Sequence, residues 1–290
     1  MKHLIKICLV LTICIGICLP AIAAKATKAK KVKEIEPTRI EYRTPDNHLI
    51  VADFYLPAKQ KKTISIPLVI MVHALAENKK VWKEYAKTLI NKGYSVLAID
   101  IRGHGESIKD KHDKKHYWRS FTKDDWQKSY TDITSGITYL KDNYPQANTK
   151  DILIIGSSIG SSLSIIAARE EKAYVKGLII LSPLNKYKDI ETRVPLVEYG
   201  KHPIMIMVSE TDRRSYEDAK DLVKYAQGEN EIVLVKNAGH GIFMLKSEPK
   251  LVNVMYEWIA KNFPASEVEI PKKKKETKKK TDGHSTKSTH

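Results

Sequence analysis

Cysteine is nearly absent from this chain of 290 residues. The three that occur, Cys8, Cys14 and Cys18, all lie in the apolar run at residues 7–19. The remaining sequence therefore has no thiol for a disulfide, a zinc knuckle or a nucleophile. It also lacks a glycine-rich phosphate loop and a dinucleotide-binding fingerprint, so we expect no cofactor.

Long apolar runs are missing after residue 19. The run at residues 7–19 follows two lysines and precedes a proline and several alanines, which is the pattern of a secretory signal. We predict a signal peptide over residues 1–23, cleaved after Ala23 or Ala24, and hence a secreted or periplasmic protein. The run is shorter than the roughly 20 residues that span a bilayer. A retained membrane anchor and lipidation at Cys18 are the alternatives.

Acidic residues are scarce relative to basic ones, and the formal net charge is +16. Much of the excess lies near the ends, because residues 24–39 carry +4 and residues 271–290 carry +6. We interpret residues 24–38 as a basic linker and 265–290 as a Lys-rich disordered tail. The tail either solubilises the protein or contacts an anionic surface loosely. We expect no specific nucleic-acid partner, and the sequence does not indicate an oligomeric state.

Residues 39–264 alternate short apolar runs with amphipathic stretches, the pattern of repeated βαβ units. The predicted strands cover 49–56, 68–72, 95–99, 152–155, 178–181, 204–208 and 232–235; the predicted helices cover 79–91, 124–143, 158–171, 216–226 and 248–261. Residues 39–57 instead predict an antiparallel hairpin that turns at 44–48. The fold class is therefore α/β, with a doubly wound, mostly parallel sheet that binds ligands beyond the carboxyl ends of its strands.

A candidate nucleophile lies where a predicted buried strand meets a helix. The sequence there is Gly156-Ser157-Ser158-Ile159-Gly160, which fits the Gly-x-Ser-x-Gly nucleophile elbow. Glycines are needed two residues before and after the serine, because side chains there would collide with neighbouring backbone. That spacing selects Ser158 and excludes Ser157, whose corresponding neighbours are isoleucines.

A serine hydroxyl needs a base to remove its proton and a carboxylate to orient that base. Asp212 follows the predicted strand at 204–208, and His240 lies between two glycines just after the next strand. We predict that they are the acid and the base. Two alternatives stay open: Asp212 caps the following helix and Glu210 is the acid, or His240 is a loop histidine without a role. His104 is expected to pack the loop near the site.

The oxyanion of the tetrahedral intermediate needs two backbone N–H donors. Ile159, directly after the nucleophile, is the first candidate. The second is Leu75, in the loop after the strand at 68–72; the alternative is that this loop only links the strand to a helix.

These motifs together resemble the α/β-hydrolase superfamily over roughly residues 39–263. Val72-His73 resembles its strand ending in His-Gly, and residues 100–107 resemble its Asp-x-Arg-Gly-His-Gly-x-Ser segment. The chain is similar in particular to the dienelactone hydrolase-like and serine aminopeptidase-like branches, which are mostly carboxylic ester hydrolases with some peptidases. Ala74 departs from the usual glycine of His-Gly, and this bears on the backbone at the oxyanion loop.

The resemblance implies a serine hydrolase that acts on small carboxylic esters through an acyl-enzyme. A peptidase or acyltransferase with the same triad is one alternative, and a binding or scaffold protein that works through its basic tail is another. The segment at residues 182–201, where such enzymes insert a lid, is too short for a full cap domain, and it either lines a shallow pocket or packs on the sheet.

A Lys-rich insertion at residues 108–123 is either a solvated loop or a contact for anionic substrates. Its His112 and His116 have the spacing of a zinc-protease helix. The glutamate of that motif is shortened to aspartate and no third ligand is evident, so we expect no metal site.

Overall fold

A computed structural model describes residues 35–57, 65–110 and 112–265. Outside the described residues lie the predicted signal peptide with the three cysteines, residues 24–34 of the predicted linker, and all but the first residue of the predicted tail. The strands in chain order are β1 Thr38–Arg43, β2 Leu49–Tyr55, β3 Ile66–Val72, β4 Ser95–Ile99, β5 Ala147–Ser157, β6 Val175–Leu181, β7 Lys186–Tyr187, β8 Ile190–Glu191, β9 Ile204–Ser209 and β10 Asn230–Val235. The helices are α1 Lys83–Asn91, α2 Lys123–Lys128, α3 Thr131–Asn143, α4 Ile159–Glu170, α5 Arg193–Tyr199, α6 Arg213–Leu222, α7 Phe243–Ser247 and α8 Lys250–Asn262, with short 3-10 turns at Lys79–Trp82 and Trp118–Ser120.

Eight of the described strands form one sheet, in the order β1-β2-β4-β3-β5-β6-β9-β10. The strands from β4 to β10 in that order run parallel, while β1 and β2 form an antiparallel hairpin that joins β4 at the edge. The predicted doubly wound, mostly parallel sheet is therefore confirmed. Its order reverses at β3, which lies between β4 and β5, and ligands bind sheets of this kind at such a reversal.

Helices cover both faces of the sheet, which explains why its central strands are apolar without alternation. In β3, for example, Leu68, Ile70 and Val72 join the core beneath α2 to α6. Val69 and Met71 of the same strand join the core beneath α1, α7 and α8. Among the described residues, no helix is both long and apolar enough to cross a bilayer.

One predicted helix is interrupted in the structure, and another starts two residues later than predicted. The prediction of one helix over 124–143 is wrong, because α2 ends at Lys128 and α3 begins at Thr131. Between them the Ser129 hydroxyl donates to the Asp125 carbonyl, a side-chain bond that competes with helical hydrogen bonding. The predicted helix over 248–261 starts at Lys250, directly after Pro249, which separates it from α7.

The segment at residues 182–201 forms the small hairpin β7–β8 and the helix α5. Ile190, Leu196 and Tyr199 are buried in the core beneath α4, whereas Val194 is 60% exposed. The segment therefore packs on the fold and does not form a separate layer of its own.

Candidate active site

Ser158 lies in the turn between β5 and α4, in a backbone conformation that few residues adopt. Its φ is 55° and its ψ is −118°. A non-glycine residue with positive φ is strained, and such strain at a strand-to-helix turn is the signature of a nucleophile elbow. The serine is buried except for 7% of its surface, and its N–H donates to the Leu181 carbonyl at the end of β6. The turn is therefore held at the carboxyl edge of the sheet.

The two glycines of the motif have no room for a side chain. A β-carbon at Gly156 would lie 2.5 Å from the Gly160 carbonyl oxygen, and one at Gly160 would lie 2.5 Å from the Val72 oxygen and 2.6 Å from the His73 oxygen. The first turn of α4 thus presses directly on the end of β3. This contact brings the elbow beside the loop that begins at His73.

Asp212 and His240 are brought together by the loops after β9 and β10. His240 Nδ1 lies 2.6 Å from Asp212 Oδ2, and the Asp212 side chain is 14% exposed. Asp212 stands at the N-cap position of α6, yet its side chain makes no capping hydrogen bond. Glu210 is exposed and makes no bond to His240 among the described residues. The geometry therefore favours Asp212 over Glu210 as the partner of His240.

The environment of Asp212 keeps its carboxylate charged. Burial by itself would raise the pKa, but the hydrogen bond from His240 and the nearby Ser182 hydroxyl outweigh it and lower the pKa below its usual value. A charged Asp212 requires the proton of His240 to reside on Nδ1 when the imidazole is neutral. Nε2 is then free to accept a proton.

The His240 loop is attached to the elbow through the residues that follow the histidine. The Gly241 N–H donates to Ser182 Oγ over 2.8 Å, and the Ile242 N–H donates to Ser157 Oγ over 3.0 Å. A β-carbon at Gly241 would lie 2.5 Å from Ser157 Oγ, so this close approach requires glycine.

The Ser158 hydroxyl makes no hydrogen bond to any described residue, so the predicted hydrogen bond from Ser158 to His240 is not formed. Catalytic hydrogen bonds are often long before a substrate binds.

The loop after β3 is held by buried His73. Its Nδ1 donates to the Ala74 carbonyl over 2.7 Å, and its Nε2 accepts from the Ile101 N–H over 3.1 Å. Burial, reinforced by neighbouring His104, lowers the pKa of His73 to about 4, so the ring is neutral at pH 7. Positive φ falls on Ala76 and not on Ala74, so the alanine in place of the usual glycine introduces no backbone strain.

Both predicted oxyanion donors have an unoccupied N–H within the described part of the chain. Ile159 is the first residue of α4, and the first N–H groups of a helix have no hydrogen-bond partners within it. The N–H of Leu75 likewise donates to no described atom, whereas its neighbour Ala74 donates to Glu77 Oε2 over 3.2 Å. These two N–H groups are thus free to bind an oxyanion.

Two buried cations near the site, Lys79 and Arg102, form ion pairs that the sequence does not predict. Lys79, only 2% exposed, contacts Asp100 Oδ2 at 2.9 Å and Glu106 Oε1 at 2.5 Å. Fully buried Arg102 donates from Nε to Asp132 Oδ1 over 2.8 Å. The only indication in the sequence is the number of charged residues at 100–107. Charged side chains usually lie on the surface, so their presence does not predict a buried pair. These ion pairs hold the loop after β4, residues 100–107, against the rest of the fold.

The same loop carries His104, which packs near the site as expected. Its ring is buried, stacks on Trp118 at 5.7 Å and meets His73 edge-on at 5.1 Å.

In the Lys-rich insertion, His116 Nε2 lies 3.0 Å from Asp110 Oδ2, and His112 is exposed. Over the described ranges, no group of three or more potential metal ligands lies together.

Several known proteins are similar to this chain in amino-acid sequence. A family model described as "Serine aminopeptidase, S33" matches residues 65–198, which include the elbow and the His73 loop but end before Asp212 and His240. The monoglyceride lipase of Rattus norvegicus is 28% identical over 152 residues, 49% of this chain and 46% of that enzyme. A monoglyceride lipase homolog of Monkeypox virus is 28% identical over 132 residues, 45% of this chain and 44% of that protein. The chain spans about half the length of the curated relatives it matches.

Solved structures match over a longer part of the chain. A dienelactone hydrolase from Anabaena variabilis superimposes with a TM-score of 0.58 at 15% identity, covering 79% of this chain and 97% of that one. An acylaminoacyl peptidase from Pyrococcus horikoshii gives a TM-score of 0.62 at 18% identity, covering 83% of this chain and 44% of that one. At these identities the likeness shows a shared fold.

Proposed function

We propose, from its likeness to α/β hydrolases in sequence and fold, that this chain is a serine hydrolase that cleaves carboxylic esters. The observation that carries the proposal is the His240–Asp212 pair, together with the attachment of the His240 loop to Ser157, the residue next to the strained Ser158. A serine, a histidine and a carboxylate at one sheet edge are what acyl transfer to serine requires.

In the proposed reaction, Ser158 Oγ attacks the ester carbonyl while His240 Nε2 takes the hydroxyl proton. The N–H groups of Leu75 and Ile159 stabilise the oxyanion, and Asp212 stabilises the imidazolium. Collapse of the intermediate breaks the ester bond, and His240 gives the proton to the departing alcohol. Water then attacks the acyl-enzyme by the same steps and releases the carboxylic acid.

The test is labelling by a fluorophosphonate probe together with turnover of short p-nitrophenyl esters. We expect Ser158→Ala to lose both while its unfolding transition is unchanged. Ser162→Ala is the matched control, because the buried Ser162 hydroxyl on the same helix has no hydrogen-bond partner among the described residues. Labelling that persists in Ser158→Ala would overturn the proposal.

Peptide cleavage is a second candidate, favoured by the family description that matches residues 65–198. It uses the same residues and differs only in the leaving group. Matched ester and amide substrates distinguish the two, since only a peptidase turns over the amide at a substantial rate.

We also propose that the mature protein is secreted or periplasmic. This rests on residues 1–24 alone. Cell fractionation and N-terminal sequencing of the exported protein test it, and a start at residue 24 or 25 is the expected result.

A further inference from the structure

The hairpin β7–β8 and its turn, residues 186–191, form a short strap beside the site. The turn residues Lys188 and Asp189 both have positive φ, 51° and 58°. This is the two-residue turn type that usually takes Asn-Gly, and it matches the twist of a tight hairpin. The strap is therefore a stiff element with Lys188 at its tip.

The strap connects two segments that follow different strands of the sheet. On one side Arg214, two residues after Asp212, donates from Nη2 to the Lys186 carbonyl over 2.8 Å. On the other side Lys123 of α2, which follows the loop after β4, lies 3.8 Å from Asp189. In the sheet, β9 and β4 flank β3, β5 and β6. The strap thus spans the edge where the strand leading to Ser158 ends.

Two cations share one aromatic ring on this strap. Lys188 Nζ lies 5.7 Å from the centre of the Tyr187 ring and 5.8 Å from that of Trp126. The Arg214 guanidinium lies 5.6 Å from the centre of the same Tyr187 ring. The attraction between a cation and an aromatic face restrains both side chains beside the Tyr187 ring.

The neighbouring acidic residues do not neutralise these two cations. Glu191 pairs with Lys186 at 3.7 Å, and Asp189 pairs with Lys123 at 3.8 Å. Lys188 and Arg214 form no ion pair with any carboxylate that the structure describes. Two positive charges without counter-charges, at the strap that spans the carboxyl edge of the sheet, suit a ligand that brings its own negative charge.

We propose that Lys188 and Arg214 form an anion-binding subsite, and that the preferred substrates are carboxylic esters bearing a carboxylate or phosphate group. This inference rests on the proposed esterase function. Because guanidinium and ammonium groups both bind these anions, the subsite orients the charged end of the substrate while Ser158 attacks the ester.

The experiment compares mono-p-nitrophenyl glutarate with p-nitrophenyl pentanoate, which has the same chain length and no charge. Wild type should prefer the glutarate ester in kcat/KM, mainly through KM. Lys188→Gln and Arg214→Gln should each lower kcat/KM for the glutarate ester about fivefold, as expected of one exposed charged contact. Turnover of the pentanoate ester should fall much less, so that the ratio of the two kcat/KM values moves toward one. Free glutarate and inorganic phosphate, compared as inhibitors of pentanoate turnover, identify which anion the subsite prefers.

Lys92→Gln is the matched control, because Lys92 lies 5.5 Å from the Tyr256 ring at the C-terminus of α1, away from the strap. It should leave the preference for glutarate intact. Equal kcat/KM for the two esters, or a preference that survives in Lys188→Gln and Arg214→Gln, would overturn the subsite while ester hydrolysis stands. Failure to hydrolyse either ester, together with absent probe labelling, would instead overturn the proposed function.

Discussion

Replacing Asp212 by asparagine removes the charge that faces His240 and leaves the shape of the side chain. Opposite unit charges about 4 Å apart attract by about 4 kcal/mol at an effective dielectric constant of about 20. The two groups meet at 2.6 Å, but the His240 side chain is 48% exposed, so water screens part of this attraction. A remaining loss of about 3 kcal/mol of transition-state stabilisation lowers kcat by about 10²-fold.

The assay is steady-state turnover of a short p-nitrophenyl ester, with the rate of fluorophosphonate labelling as a second readout. KM should change little, because Asp212 acts on charge that develops only in the transition state. The control is Glu210→Gln, which removes an exposed charge two residues away. We expect less than about a twofold change in kcat for this variant, the size of a screened surface charge.

A folded Asp212→Asn variant whose kcat stays within threefold of wild type would refute this role of Asp212. A large loss in Glu210→Gln with a small one in Asp212→Asn would identify Glu210 as the acid. Both outcomes are measurable with the same substrate and probe.

Three further predictions concern how the site is held. Gly160→Ala should destabilise the fold by about 3 kcal/mol or more in chemical denaturation, since its β-carbon meets backbone oxygen at 2.5 Å. Gly177→Ala, where the nearest atom is a side-chain carbon at 3.3 Å, should change stability by less than about 1 kcal/mol; similar losses in both would contradict the packing argument. Ser157→Ala should keep probe labelling but lose about 1–3 kcal/mol of stability, because it leaves the buried Ile242 N–H unpaired; loss of labelling in a folded variant would count against Ser158. Burial lowers the pKa of His73 from 6.5 to about 4. As the pH falls, the unfolded chain therefore binds a proton at this histidine before the folded chain does. The free energy of unfolding should be unaffected by His73 above pH 6.5 and should fall by about 3 kcal/mol as the pH drops to 4. In His73→Asn this part of the pH dependence should disappear, and an identical profile in both proteins would contradict it.

Local chemistry made the elbow predictable. A serine in a strained turn between a strand and a helix needs a glycine two residues before it and another two residues after it. The five consecutive positions from Gly156 to Gly160 therefore predict the turn at Ser158. The strands were predictable for a similar reason, since burial on both faces demands uninterrupted apolar runs such as β3 and β9. The position of Asp212 at a strand end followed from the same pattern.

Contacts between distant segments required the tertiary structure. Asp212 and Glu210 both lie near the end of β9, and only the folded loop shows which of them meets His240. The attachment of the His240 loop to the elbow joins residues 85 positions apart, and Arg102 reaches Asp132 across 30. A hydrophobic pattern determines the conformation of each segment, because it depends on a few neighbouring residues. The order of strands in the sheet determines which polar side chains meet, because long-range approach depends on how all the segments pack together.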